Sequence, residues 1–478
     1  EEEYGGQHCG SAATGRAGWK PGWSCFTCRS HAKVKMSIGE EDEDESKETI
    51  PDGITRRKAL GTAAGIIAGI GTPALALRVF AQTPAPPVAT GNTAVGAQQA
   101  APATLPQVPA DATKVPGMPS GPLGVRSQFE SPSLAPVGVT TGPSFTPLQD
   151  LTGTITPSDL HFQRHHNGIA LIDPARYELI VHGMADRTRA FSLEDLKRFP
   201  AVTRTCFIEC AGNGRAAYRT PKPDMTPQVV EGLTSNTEWT GVLVSTLLHE
   251  VGAKSAASWV LAEGGDASIL SRSVPMKKMQ DDAMVVYAQN GEPLRVANGY
   301  PARLLLPGYE GNMCIKWLRR MELIDQPNMS RDETSKYTDP LPGGVARQFS
   351  FVMDAKSVIT TPAHPEKLSG PGWWPISGLA WTGRGKITQV DVSTDNGRTW
   401  MTAQLTGPVL PMAHTRFQLM WKWDGRPTTI MSRAHDETGY IQPSVNAFRK
   451  VRGPGTDFHF NAIRSWRLDG DGHVSFAG

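Results

Sequence analysis

The stretch Thr203–Arg215, TRTCFIECAGNGR, decides how the rest of the chain is read. Its first half reads as a strand, with Val202, Cys206, Ile208 and Cys210 on one parity and β-branched or small apolar residues dominant. Ala211-Gly212-Asn213-Gly214 cannot continue it, because two glycines around an Asn mark backbone that turns sharply or lies close against something. Cys210 therefore sits where a strand ends and a Gly-rich turn begins, with Arg215 just beyond. A thiolate in that place is a soft ligand for a transition metal and gains from nearby positive charge. A buried, inert thiol is the competing reading, and it is the usual state of a free cysteine.

A chain of 478 residues implies two or three domains with sizeable cores. With 48 Lys and Arg against 46 Asp and Glu, no overall charge points to nucleic acid or to a membrane surface. Six irregularly spaced cysteines make no disulfide framework. Cys206 and Cys210 lie too far apart along an extended strand to bridge each other. Cys25-Phe-Thr-Cys28 lacks the His that a c-type haem attachment requires, so no haem is expected in this chain.

Residues 1–35 precede the first Met, Met36, and are expected to be a non-native leader. The acidic run Glu40–Glu45 is expected to be solvated. Within residues 36–81, Arg56-Arg57 stands before a weakly apolar run to Leu77, the form of a twin-arginine export signal. Its Gly and Thr content makes that run a poor membrane span, so stable insertion is not expected. Residues 82–147 are rich in Pro, Ala, Gly and Thr and read as an extended segment without a core, in which Val125–Phe129 could pack.

Periodic structure begins near Thr156. Three histidines, His161, His165 and His166, fall within six residues, but no recurrent zinc spacing or completing Cys or acid accompanies them. Tyr177–Gly183 alternates as a strand, and Ser192–Phe199 reads as a helix opened by Ser192 and closed before Pro200. Thr240–Gly252 reads as a helix ending at Gly252. Trp259–Ala262 and Ala283–Ala288 read as strands, the second closed by Asn290-Gly291. No G-x-G-x-x-G follows a strand, so a nicotinamide dinucleotide fold is not indicated.

Beyond Gly343 the pattern becomes short strands separated by turns: Phe349–Ala355, Trp373–Trp381, Lys386–Ser393, Thr399–Leu405, His414–Trp423, Thr428–Asp436 and Ala462–Leu468. That spacing fits an immunoglobulin-like β-sandwich. The turn Ser393-x-Asp395-x-Gly397-x-Thr399-Trp400 occurs once, and a propeller needs it repeated.

Cys210-Ala-Gly-Asn-Gly-Arg215 resembles the molybdenum-ligand segment C-A-G-N-x-R of the sulfite oxidase family. Further matches follow in order: Phe162-x-Arg164-x-His166, Asn298-Gly-Tyr-Pro-Ala-Arg303, Pro307-Gly308 and Lys316-Trp317-Leu318. The resemblance implies an α+β chain: a mixed α/β molybdopterin domain over residues 148–342, then an immunoglobulin-like dimerisation domain over 343–478. It implies a molybdenum–molybdopterin cofactor with Cys210 as the metal ligand and cofactor contacts from Phe162, Arg164, His166, Asp266, Asn298, Arg303 and Lys316. It also implies catalytic roles for Arg164, Arg215, Tyr337 and Arg452, the last from the segment Val451-Arg452-Gly453. Where the family has His, this chain has Asn298, and Cys314 stands where animal enzymes have another His.

The phrases EGLTSNTEWTGV and SRDETSKYTDP resemble the sulfane dehydrogenase branch of that family. The implied activity is oxidation of sulfane sulfur held on a carrier protein, or of sulfite, with electrons leaving singly to a c-type cytochrome. The implied setting is a periplasmic homodimer with a cytochrome and a sulfur-carrier protein as partners. Sulfite dehydrogenation, or another oxo-transfer reaction such as sulfoxide reduction on the same scaffold, is the nearest alternative. A periplasmic binding module without metal is the non-enzymatic one.

Overall fold

A computed structural model describes residues 119–453 and 455–478. The leader, the twin-arginine region and most of the Pro/Ala-rich segment lie outside the described residues. Where that segment is described it does not pack as expected, since Val125 and Phe129 are 75% and 87% exposed. It joins the fold at Gly142–Ser144, which pairs antiparallel with Gln163–His165.

The first domain carries two five-stranded sheets. In one, the order is Glu292–Pro293, Met284–Gln289, Thr234–Leu243, Val202–Glu209, with Arg303–Leu305 also paired to Met284–Gln289. Every pairing in it is antiparallel, with Cys206 opposite Thr237 and Ile208 opposite Ser235. In the other, the order is Arg189–Ser192, Glu178–Gly183, Leu318–Ile324, Trp259–Gly264, Ser271–Pro275, with one parallel pair between Glu178–Gly183 and Leu318–Ile324. Both sheets pack around one apolar cluster that includes Leu179, Trp239, Val285, Leu304 and Met321.

The helices are short, and their ends follow from the sequence. Leu193–Arg198 starts at a capping box in which Ser192 and Asp195 bond reciprocally. Val244–Val251 ends at Gly252 in the left-handed region. The expected helix over Thr240–Gly252 is too long at its start. Thr240–Leu243 finishes the ten-residue strand Thr234–Leu243, whose end pairs with Met284–Val286, and only the remainder coils.

The C-terminal domain is a two-sheet sandwich. One sheet runs Lys356–Thr361, Gly372–Trp381, Thr415–Trp423, Gln404–Thr406; the other runs Met401–Thr402, Ile387–Ser393, Thr428–Asp436, Ser465–Leu468, Val474–Phe476. The expected single strand Thr399–Leu405 is two pieces that serve opposite sheets, broken at buried Ala403. Phe349–Ala355 is not a strand, and the first sandwich strand is the later Lys356–Thr361. Inward residues alternate as a half-buried strand requires: Ile430, Ser432, Ala434 and Asp436 are buried along Thr428–Asp436. Trp423 and Trp466 lie in the core between the sheets, whereas Trp381 packs on the opposite face with Leu148 and Phe207 of the first domain. Truncating one such indole to Ala costs about 3–5 kcal/mol.

Candidate active site

The strand Val202–Glu209 delivers Cys210 to the turn anticipated from the sequence. The Cys210 N–H donates to Leu233 O at 2.9 Å, and Asn213 N–H donates back to Cys210 O at 2.9 Å. Asn213 is the anchor of the turn. Its Nδ2 donates to Glu209 Oε1 (2.9 Å) and Glu231 O (3.0 Å), and its Oδ1 accepts from Leu233 N (2.9 Å). Gly214 has φ +82°, and a Cβ there would lie 2.6 Å from Arg464 Nη2 and 2.8 Å from Glu231 Oε1. Only glycine satisfies both the conformation and the space.

Behind the turn is a buried set of charges drawn from both domains. Lys356 Nζ donates to Glu209 Oε1 at 2.6 Å and to Glu231 Oε2 at 3.0 Å. Arg464 Nε donates to Glu231 Oε1 at 2.9 Å and its Nη2 to Gly214 O at 3.1 Å. Trp381 Nε1 completes Glu209 at 2.7 Å. The two carboxylates meet two cations, each with a side chain at most 2% exposed. Burial alone would lower the Lys356 pKa, but the Glu209 and Glu231 carboxylates outweigh it, so the pKa is raised and the ammonium stays charged.

In front of the turn lies a cavity with roughly 700 Å³ of empty space. Cys210 lines it, as do Phe162, Arg164, His166, Asp266, Asn298, Arg303, Lys316 and Tyr337. Arg303 is held by Asn298 O and Cys314 O, both at 2.9 Å, and its Nε has no partner. Lys316 Nζ meets His165 Nδ1 at 2.9 Å and Ala297 O at 3.2 Å. Burial, then the Arg303 charge, pushes the Lys316 ammonium well below its usual range. Trp317, next to it, has φ +52°, a left-handed conformation rare for a bulky side chain, and its Nε1 donates to Val296 O at 3.1 Å. Asn298 spends its amide on Gln289 Oε1 (2.9 Å) and Ser158 O (3.2 Å), so its hydrogen bonds run into the protein.

The histidines are not a zinc site. His161, with its pKa lowered to about 3 by burial and the Arg303 charge, donates Nδ1–H to Phe162 O and leaves Nε2 without a partner. His165, also lowered to about 3 by burial and by Lys316, is engaged with Lys316 and Gln163. His166, lowered to about 4 by burial and Arg164, meets the Tyr337 hydroxyl at 2.9 Å. Among the described residues, no three His, Cys, Asp or Glu gather to hold an ion.

Two expected pocket residues are placed elsewhere. Arg452 is a correction: its guanidinium is buried against Asp339 Oδ2 (3.1 Å) and Asp354 Oδ2 (3.4 Å) and does not line the cavity. Those two acids take the charge that was assigned to substrate. Arg215 is also outside the lining. Its Nε and Nη2 donate to Asp457 O at 3.0 and 2.7 Å; burial raises the Cys210 pKa, and the charges of Arg164 and Arg215 work against that rise. Sequence reading missed Arg272, which is fully buried. It bonds to Asn312 and to Glu310, and its Cζ sits 4.9 Å from the centre of the Tyr337 ring.

The residues present fit a molybdopterin group. Arg164, Arg303 and Lys316 face one carboxylate, Asp266, so the cavity carries an excess of positive charge suited to a phosphate-bearing ligand. The unpartnered Arg303 Nε, Asn312 Nδ2 and His161 Nε2 offer two donors and an acceptor to a polar ring. Burial raises the Cys210 pKa, and a bound metal removes the thiol proton outright.

The chain matches two family models, an oxidoreductase molybdopterin binding domain over residues 166–331 and a Mo-co oxidoreductase dimerisation domain over residues 347–465. The sulfane dehydrogenase SoxCD from Paracoccus pantotrophus, a solved structure, is 43% identical with a TM-score of 0.73, over 77% of this chain and 96% of that one. Sulfite oxidase of Gallus gallus is 29% identical over 63% of this chain and 70% of its own length. An NADH nitrate reductase of Ulva prolifera is 27% identical over 67% of this chain but only 42% of its own. With the Cys210 turn, its cation-lined cavity and the sandwich behind it, the chain belongs to the sulfite oxidase family and is a molybdopterin-dependent oxidoreductase.

Proposed function

We propose that this chain oxidises sulfane sulfur carried on a partner protein and hands the electrons one at a time to a c-type cytochrome. The 43% identity to a sulfane dehydrogenase over nearly all of that chain carries the reading. Free sulfite is the second substrate in view, favoured by the likeness to sulfite oxidase and by the half-buried Arg164 in the cavity wall.

When bound, the molybdenum–molybdopterin group supplies oxygen-atom transfer to sulfur and takes up two electrons. Cys210 would hold the metal, and Arg303 and Lys316 would hold the phosphates. Arg164 draws the anionic sulfur species in and offsets its charge in a site poor in water. Tyr337 presents a hydroxyl in the cavity. Neutral His166 accepts a hydrogen bond from that hydroxyl at Nε2, which holds the Tyr337 oxygen in place while it stays protonated. The sandwich supplies the homodimer contact, and Arg56-Arg57 directs export to the periplasm with the cofactor already in place.

The test is turnover of the purified holoenzyme with cytochrome c, with and without a sulfur-carrier protein loaded with sulfane sulfur. Turnover that needs the loaded carrier supports the reading. Full turnover on free sulfite alone would move the assignment to sulfite dehydrogenation, and activity with a sulfoxide but neither sulfur donor would move it to the alternative oxo-transfer class.

A further inference from the structure

Four side chains from distant parts of the chain form one stack beside the cavity. The Arg272 guanidinium carbon lies 4.9 Å from the centre of the Tyr337 ring. The Tyr337 and Phe458 ring centres are 5.3 Å apart. The Arg215 guanidinium carbon lies 5.2 Å from the centre of the Phe458 ring. The two tilted rings and the two cations thus form a chain of contacts, each ring touching the other ring and one positive charge.

The two ends of the stack are fixed. Arg272 is bound by Asn312 and Glu310. Arg215 is bound by Asp457 O, and Arg219 anchors the same segment through Thr456 O at 2.8 Å and Asp457 Oδ1 at 2.8 Å. His459 N–H donates to Ala211 O at 2.7 Å, tying the segment to the Cys210 turn itself. Between these fixed points the Tyr337 hydroxyl has one hydrogen-bond partner, His166 at 2.9 Å, and the Tyr337 N–H donates to Asp332 O at 3.2 Å, closing the π-helical turn over Asp332–Lys336. Its ring is therefore packed against Arg272 and Phe458, with the His166 ring edge-on at 6.3 Å, and of these Phe458 belongs to the C-terminal domain.

We propose that Phe458 is a positioning residue of the active site: wedged between Arg215 and Tyr337, it fixes the angle at which the Tyr337 hydroxyl enters the cavity. It acts through Tyr337 and touches no reacting atom. The proposal rests on the reading of Tyr337 as a working hydroxyl, and a small misplacement of such a group is enough to cost one to two orders of magnitude in rate.

The test is a double-mutant cycle in the holoenzyme, with sulfite, or with carrier-bound sulfane where sulfite is not turned over. Phe458→Ala is expected to lower kcat about tenfold with KM within about twofold, while Phe458→Tyr, which keeps an aromatic face, restores most of it. In a Tyr337→Phe background the same Phe458→Ala change is expected to have almost no further effect. A substrate-independent readout accompanies it: nitration of Tyr337 by tetranitromethane, followed by peptide mapping, is faster in Phe458→Ala than in the wild type. Should Phe458→Ala not fold, Phe458→Leu, which keeps bulk but no ring, takes its place in every arm. Equal losses in both backgrounds would overturn the proposal, because Phe458 would then be general packing. So would unchanged kcat and unchanged nitration. If Tyr337→Phe alone leaves turnover intact, it is the role of Tyr337 that fails; the nitration arm still decides whether Phe458 holds its ring.

Discussion

Behind the Cys210 turn, Glu209 and Glu231 face Lys356 and Arg464, two acids against two cations, with Trp381 and Asn213 filling the remaining hydrogen-bond positions. In front of it, Arg164, Arg303 and Lys316 share a cavity with Asp266, and several polar atoms are left without a partner. The two lysines state the difference most directly. Lys356 is held charged by carboxylates on two sides, whereas Lys316 is pushed toward losing its proton by burial and by a neighbouring arginine. A closed set of charges makes a rigid mount, and an open set makes a binding site, so the same residue types separate structure from function by how completely they are paired.

The largest effect is expected where the two sides meet. Cys210→Ser keeps the shape of the turn but removes the soft ligand, and turnover should fall by at least about a thousandfold while circular dichroism and Tm stay near wild type. Metal analysis of the purified variant checks the cause, and full metal content with full turnover would break the assignment of Cys210.

Lys356→Met tests the mount. It leaves two buried carboxylates facing one arginine, and a loss of about 3–5 kcal/mol in unfolding free energy is expected from denaturant titration. Lys316→Met tests the cavity and should move the other way in cofactor-free protein. Removing an ammonium that burial and Arg303 disfavour is expected to raise its stability by about 1 kcal/mol, while the same variant of the holoenzyme should lose pterin on gel filtration. Losses of equal size and sign in the two variants would erase the distinction between the two sides.

The last test concerns pH. His414 bridges the domains, bonded to Thr234 Oγ1 at 2.9 Å and stacked beside Phe207 and Trp381. Burial, then the Arg416 charge, lowers its pKa from 6.5 to about 3. The unfolded chain therefore takes up a proton below pH 6.5 that the folded chain refuses until about pH 3. Stability from this group is fully present above pH 6.5 and declines as pH falls, by up to about 1.4 kcal/mol per pH unit. Buried His161 acts in the same direction. Tm measured from pH 7 to pH 4.5 should fall, and His414→Phe should flatten the slope; an unchanged slope in that variant would locate the titration elsewhere.

Much of the front of the site was legible in the sequence because its residues come in compact motifs. Cys210 stands at a strand end marked by two glycines, and Arg303 and Lys316 fall in short phrases whose turn residues are themselves diagnostic. The back was not legible. Lys356, Glu231 and Arg464 lie in ordinary-looking segments far apart in the chain, and a lone Lys in a strand of Ser, Val, Ile and Thr gives no sign of the acids it will meet. Arg452 was misplaced for the same reason, since nothing local tells that Asp339 and Asp354 will close on it. Thr240–Leu243 was read as helix because an apolar run continuous into a helix carries no period of its own. Its strand character comes from pairing with Met284–Val286.

Every residue that lines the cavity lies at or before Tyr337, yet Lys356, Trp381, Phe458 and Arg464, which brace the cavity, all come later. A first domain standing alone would hold Glu209 and Glu231 close together without Lys356 or Arg464 to offset them. The wall behind the Cys210 turn is therefore shared property of the two domains: its acids come from the first and its cations from the second.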